Sequence, residues 1–390
     1  ADGDNNAALS ITITDNSASA ADLNTINAAT TVAVDATAIA TISSSSLTDI
    51  STLGASITAG TIAATTAIGT INVSGNAIDF TTLESEINRF DGFRTGTDIA
   101  AFTLAATTTV TLGTQDEVTA FIADVAAGLV SVTGASQAVT VTPSGSGGVD
   151  ISHTDAIALA AAAGGTVTAT IVNTTTVAQL ATLYDAGETN AYTITISGAD
   201  ATGSTAAEFN AINSATSEAI NASVVTSISG TAADIATLMS AAEQTAEFTA
   251  TSFDLIAANG LSITGTTIDV TDLNNAITRA NTTSNNTVLA AFASAQGDIT
   301  VNAGTITEFE SLLQLETESK INITGLNLTT TTVNVTQANT LTGATTGTVT
   351  ATVNAGGVNA LTDLNADGDN NAALSITITD NSASAADLNT

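Results

Sequence analysis

The stretch ADGDNNAALSITITDNSASAADLNT occurs twice, as residues 1–25 and again as residues 366–390, without one difference. Identity over that length marks a tandem repeat with a period of 365 residues. We therefore expect residues 1–365 to be one long repeat unit forming a continuous body, and residues 366–390 to be the start of the next identical unit. Whatever fold the unit adopts has to continue from copy to copy. Neither end reads as a natural terminus: residue 1 is not Met, and no basic stretch followed by an apolar run leads the chain. No apolar run is long enough to span a bilayer, so no membrane insertion is expected in this segment.

A looser rhythm lies inside the long one. A Ser, Thr or Asp, three residues later an Asp, Glu or Gln, then at once a large apolar residue, occurs at Ser19/Asp22/Leu23, Ser46/Asp49/Ile50, Thr95/Asp98/Ile99, Thr114/Glu117/Val118 and Thr176/Gln179/Leu180. It continues at Thr205/Glu208/Phe209, Thr231/Asp234/Ile235, Thr251/Asp254/Leu255, Asp269/Asp272/Leu273 and Thr305/Glu308/Phe309. The spacing is that of a capping box, in which the first side chain accepts from the N3 amide and the N3 side chain reaches back to the N-cap amide. In AADIATL, VTDLNNAI, AAEFNAI and ITEFESLL the apolar residues then recur three and four apart for about two turns. Helices this short need a surface to dock on.

Between the caps lie alternating β-branched stretches such as LSITIT (9–14), TTTVTL (107–112), TVTATIV (166–172), YTITIS (192–197) and TVTATV (348–353), which read as half-buried strands. A strand, a Gly or Asn turn, a short helix and a strand in that order form a segment that cannot bury its own apolar face, so neighbours must stack. The expected fold class is α/β: a repetitive solenoid of parallel β-strands with short capped helices. The alternative is a string of tandem β-sandwich domains, which would carry hairpin turns and fewer caps. Some fifteen steps at the usual strand spacing of ~4.8 Å would make a copy roughly 70 Å long.

Composition narrows function mainly by exclusion. Four Lys and Arg against 37 Asp and Glu give a formal charge of −33, which rules out a cationic footprint for nucleic acid. There is no Cys and no Trp, and aromatic content is 3%, so neither a disulfide framework nor a thick aromatic core is available. His153 is the only His, and no motif sets a nucleophile beside it; the chain reads as a structural protein, not an enzyme.

Two places stand out as candidate sites. In DLNADGDNNAAL (363–374), oxygen-bearing side chains fall on alternate positions at Asp363, Asn365, Asp367, Asp369 and Asn371, with Gly368 at the turn. The loop resembles an EF-hand or dockerin-type calcium loop, with Leu374 where such loops place a bidentate acid. Asp2 and Asp4 are the equivalents of Asp367 and Asp369 in the first copy. The other reading of these residues is an Asx/Gly turn with solvated acids. Elsewhere, Arg89, Phe90, Phe93 and Arg94 gather two of the four cations beside two of ten Phe. They form either a protruding contact for another acidic chain or an insertion packing its own small core.

Phrases such as TAADIATL, VTDLNNAI, ALTDLNADGDNN and ADLNTINAATTVAVDATAIATI resemble the Ala/Thr/Asp/Asn-rich repeats of giant secreted bacterial surface proteins, particularly of cyanobacterial type. The resemblance implies an exported adhesin, surface-layer component or filament subunit, commonly associated with calcium, at an extracellular or cell-surface location. The expectation is an acidic rod or filament that self-associates along the repeat axis and laterally, with the stalk of a giant repeat adhesin or surface-layer protein as the alternative.

Overall fold

A computed structural model describes residues 8–64, 68–93, 101–105, 107–132, 137–184, 190–200, 202–242, 247–249, 260–283, 290–354, 357–361, 363–364, 372–378 and 384–385. The chain is a mixed α/β protein without a closed barrel, and it divides into two compact bodies. The first comprises residues 1–172, 185–194 and 215–217; the second comprises residues 173–184, 195–214 and 218–390.

In the first body one sheet is built from β1 (Ser17–Ser19), β3 (Thr41–Ser46), β5 (Thr70–Ser74), β7 (Ala101–Leu104) and β9 (Val130–Val132), in that order. A second sheet runs from β6 (Ala77–Asp79) through β8 (Thr109–Leu112), β10 (Gln137–Val141) and β11 (Gly164–Thr170) to β12 (Ala191–Thr193). β2 (Val34–Ala36) and β4 (Ile62–Ala64) form a separate pair. The helices here are α1 (Ala20–Ala28), α2 (Leu47–Thr58), α3 (Phe80–Gly92), α4 (Gln115–Ala127) and α5 (His153–Ala163).

The second body repeats the plan. β13 (Ile228–Gly230), β14 (Leu261–Ile263) and β16 (Ala290–Phe292) form one sheet. β15 (Thr267–Asp269), β17 (Thr300–Asn302), β18 (Asn327–Val333), β19 (Val349–Asn354) and β20 (Ala372–Thr377) form the other. Its helices are α6 (Val177–Leu180), α7 (Ala206–Ala215, whose last residue belongs to the first body), α8 (Ala232–Ala242), α9 (Val270–Thr283), α10 (Ile306–Thr317), α11 (Val335–Ala344) and α12 (Val358–Leu361).

Every strand pair and every isolated bridge among the described residues is parallel. That overturns the β-sandwich alternative, because sandwiches are built from antiparallel hairpins and Greek keys. Parallel neighbours need a crossover between them, and the short helices supply it. The alternating sequence does what a half-buried strand requires: Phe102 and Leu104 of β7 and Val110 and Leu112 of β8 are fully buried while the residues between them are not.

The caps form as the spacing dictates. The Ser19 hydroxyl accepts from the Asp22 N–H at 3.0 Å, Ser46 from Asp49 at 3.1 Å and Thr231 from Asp234 at 3.1 Å. Reciprocal boxes close α4, α6 and α7: the N–H groups of Thr114, Thr176 and Thr205 donate back to Glu117, Gln179 and Glu208. The expected caps at Thr95 and Thr251 lie outside the described residues. Four described helices, α3, α5, α11 and α12, lie outside the ten matches, though the spacing Ser152 to Asp155 also predicts the cap of α5. α3 is capped by Asp79 with Thr82, not an acid or amide, at N3; α5 is capped by Ser152; and α11 by Asn334 with a full box to Gln337. Asn is as good an N-cap as Ser or Asp, so restricting the first position to Ser, Thr and Asp hid α11. At the other end of α4, Gly128 takes φ 75°, a left-handed cap that a residue with a Cβ adopts only with strain.

The helices also show a shorter internal recurrence. SAADLNTINAAT (19–30), which caps and forms α1, returns as TAAEFNAINSAT (205–216) at α7, and IDFTTLESEINR (78–89) at α3 returns as IDVTDLNNAITR (268–279) at α9. α1–α6 thus have counterparts in α7–α12. Twelve α-helices are described, and several of the segments hold two or three strands before a helix.

Candidate functional site

Four of the contacts that join one strand–helix segment to the next share one chemistry. Asn24 of α1 donates from Nδ2 to the Asp49 carbonyl of α2 at 2.9 Å. Asn210 of α7 does the same to Asp234 of α8 at 2.9 Å, Asn274 of α9 to Glu308 of α10 at 2.9 Å, and Asn339 of α11 to the Asp363 carbonyl at 2.8 Å. In the first three the acceptor is the N3 residue of the following helix. Each clasp is a neutral hydrogen bond that sets one helix against its neighbour, with a net value of about 1 kcal/mol. The sequence signal was the Asn that follows the apolar residue after N3, as in Asp22-Leu23-Asn24 and Glu208-Phe209-Asn210. It went unread because the partner is a backbone carbonyl, which any residue provides.

A second device staples an extended segment upstream of a helix. The Thr30 hydroxyl accepts from the Leu9 N–H at 3.2 Å and donates to the Leu9 carbonyl at 2.7 Å. Thr216 treats Tyr192 the same way, at 2.9 and 2.8 Å. Both hydroxyls are buried, and using donor and acceptor together leaves neither backbone group of the strand residue unpaired.

The Arg–Phe cluster lies on α3. Phe90 is 2% exposed and meets the Phe93 ring at 5.5 Å and the Phe102 ring at 6.0 Å, both edge to face. Arg89 turns onto α2: its Nη1 donates to the Ser51 carbonyl at 2.9 Å and lies 3.2 Å from the Glu86 carboxylate, which is buried. Gly54 makes room, since a Cβ there would stand 2.8 Å from Arg89 Cδ. Phe90 therefore packs inward as part of the core, and the Arg89 guanidinium is engaged within the fold; Arg94 lies outside the described residues.

Of the calcium-loop residues, Asp363 is described, with an exposed side chain and its carbonyl taken by Asn339. Asn365, Asp367, Asp369, Asn371, Asp2 and Asp4 lie outside the described residues, and among the described residues no three acids or His converge on one point.

Carboxylate electrostatics are mild. Burial, then the nearby Glu84 charge, raises the Asp124 pKa above its ordinary value, while hydrogen bonds from Thr37 lower that of Asp35. Glu318 is lowered by its hydrogen bonds to Lys320 and Gln314 and by the Lys320 charge. Open grooves of about 620 and 450 Å³ flank Arg279 on α9, the first lined by Asn, Thr and Ser with Glu308, the second by Asn, Ala, Thr and Ser with Glu247 and Asp272. His153 opens α5 and lines neither. No described helix is long and apolar enough to cross a membrane. Compared with protein-family models, curated proteins and solved structures, the chain matches none.

Proposed function

We propose that this chain is one unit, with the start of the next, of an acidic α/β solenoid that builds a rod or filament outside a bacterial cell. The observation that carries the reading is the parallel pairing of all described strands in each body, with the same Asn hydrogen bond at the α1–α2, α7–α8 and α9–α10 contacts. Stacking of this kind has no built-in stop, and an exactly repeated sequence extends it copy by copy. The role is mechanical: stability is a sum of neighbour contacts, and no catalytic chemistry enters. With −33 formal charge on a narrow stack, cations are needed to screen self-repulsion, and calcium held by the alternate oxygens of the loop from Asp363 to Asn371 would serve. Lateral association would follow from the same cation bridging.

Electron imaging of the native assembly, with and without a calcium chelator, tests this. Twelve to fifteen steps of about 4.8 Å along the strand stack, the lower number being that of the described helices, give an axial repeat of roughly 58 to 72 Å. Fibres with that repeat are expected, loosened by the chelator; compact isolated particles in both conditions would refute the filament.

A further inference from the structure

The two grooves beside α9 share Asn275 and Arg279 in their linings, so they meet at the exposed face of that helix as one trough. On one side the trough lies against α10, where Thr307 and Ser311 stand one turn apart; on the other it lies against α8, with Thr237 and Ser240. All of these residues belong to the second body. The volumes of about 620 and 450 Å³ are those of small-molecule sites. In the first body the corresponding valley between α2 and α3 is taken by Arg89 itself, which lies over Gly54 and reaches the Ser51 carbonyl. In the second, Met239 stands where Gly54 does and Ala276 where Glu86 does, and Arg279, half-buried, lines the trough.

The lining selects among ligands by chemistry. Every residue of the first groove is Asn, Thr, Ser, Arg or Glu, which gives an apolar peptide or lipid chain nothing to bury against. Three carboxylates, Glu247, Asp272 and Glu308, outnumber the one guanidinium on a chain of formal charge −33, so a polyanion is repelled. A bare cation meets the Arg279 charge, and among the described residues no three acids or His converge to hold one. An uncharged ligand rich in hydroxyls fits where these do not. Each hydroxyl both donates and accepts, and the trough answers with the Asn275 amide, the Thr278 and Ser311 hydroxyls, the donor Arg279 and the acceptor Glu308. Bonds to the two charged groups are the stronger ones. The wall is fixed before any ligand arrives: Glu308 Oε2 accepts from the Thr305 N–H at 3.0 Å, and Asn274 Nδ2 donates to the Glu308 carbonyl at 2.9 Å. In the second groove Ala233, Ala236 and Ala241 add a small apolar surface for the C–H face of a sugar ring.

We propose that this trough binds a neutral oligosaccharide, laid across α9 with sugar units in both grooves. Asn275 and Arg279, which face both grooves, hold the middle of the chain, and Thr278 and Glu308 hold the part that lies against α10. Two grooves joined at one helix suit a chain of several units better than a single sugar. The site lies inside one body and needs no neighbouring copy, so it stands apart from the filament reading: an unassembled chain binds as an assembled one does.

The test is calorimetric titration of the full chain with uncharged cellohexaose, maltohexaose, laminarihexaose and chitohexaose, and with hexagalacturonate as the charged counterpart. Saturable binding of at least one uncharged hexamer is expected, with hexagalacturonate bound about tenfold more weakly or worse. Asn275→Ala and Arg279→Ala should each weaken that binding about tenfold. Glu310→Ala, exposed on α10 but outside the lining, should leave it unchanged. Asn275 is exposed, so its substitution leaves the core intact, and an unchanged circular dichroism melt confirms that a loss of binding is a loss of contact. No binding by any of the four uncharged hexamers, equal binding of hexagalacturonate, or binding that survives both trough substitutions would overturn the proposal. Binding without native fibres would sink the filament reading alone, and fibres without binding would sink the trough alone.

Discussion

The contact of α2 with α3 and that of α8 with α9 start from the same sequence frame and solve it differently. Gly54 on α2 and Glu86 with Arg89 on α3 make a polar contact, in which Arg89 lies over the glycine, pairs with a buried carboxylate and donates to Ser51. At the matching places α8 carries Met239 and α9 carries Ala276, both fully buried, and the matching Arg279 lines grooves on either side of its helix. The next junction differs too. Where Asn274 clasps α10, α3 has Glu84, and where α10 buries Leu315, α4 has Asp124. A carboxylate has no hydrogen to donate to a carbonyl, so Glu84 cannot make the clasp; burial raises the Asp124 pKa and the Glu84 charge adds to that. One frame thus tolerates an ionic or an apolar filling, provided volume and pairing are balanced within each contact.

The strongest way to break the comparison is Arg89→Ala against Arg279→Ala. The first strands the buried Glu86 carboxylate and should cost about 2 kcal/mol, less than for a fully buried pair because the Arg89 side chain is 31% exposed. The second strands no acid at the Ala276 position, so that part of the loss is absent and the cost should be the smaller of the two. Hydrogen exchange of the α3 and α9 amides would read the two separately, and equal losses would contradict the ionic-against-apolar distinction. Glu84→Asn should sharpen it from the other side: installing the Asn274 arrangement at the α3–α4 junction is expected to gain about 1 kcal/mol, while Asn274→Glu loses as much.

The smallest effect concerns Asp124 alone. Its folded pKa is raised by burial and by Glu84, so its contribution to stability is greatest below the ordinary Asp value of 3.8 and is lost as pH rises through the raised value. Asp124→Asn should therefore stabilise at neutral pH, with the gain fading on acidification. A gain that grew toward low pH in thermal melts would reverse this assignment.

Much of the local structure was legible because its causes are local. A hydroxyl or carboxylate at the N-cap and an acid or amide at N3 satisfy helix-end amides within four residues, so most helix starts could be read directly. Alternating Val, Ile and Thr announced half-buried strands for the same reason. Phe90 and Arg89 were ambiguous because a Phe and an Arg look alike whether they face a partner or a neighbouring helix; only the position of Gly54 and Ser51 on α2 settled where Arg89 goes. The Asn clasps stayed hidden since their acceptors are main-chain atoms a whole segment away.

Residues 8–12 and 373–377 divide the two kinds of information most sharply. Their sequences are the same, so composition, alternation and β-propensity are the same, and these determined that each is able to be a strand. Yet residues 373–377 lie in β20, and residues 8–12 form one isolated bridge, Thr12 to Asp35. Sequence determined the caps, the alternation and the repeat; the tertiary structure decided which strands lie side by side, because strand hydrogen bonds are made only when another strand lies alongside.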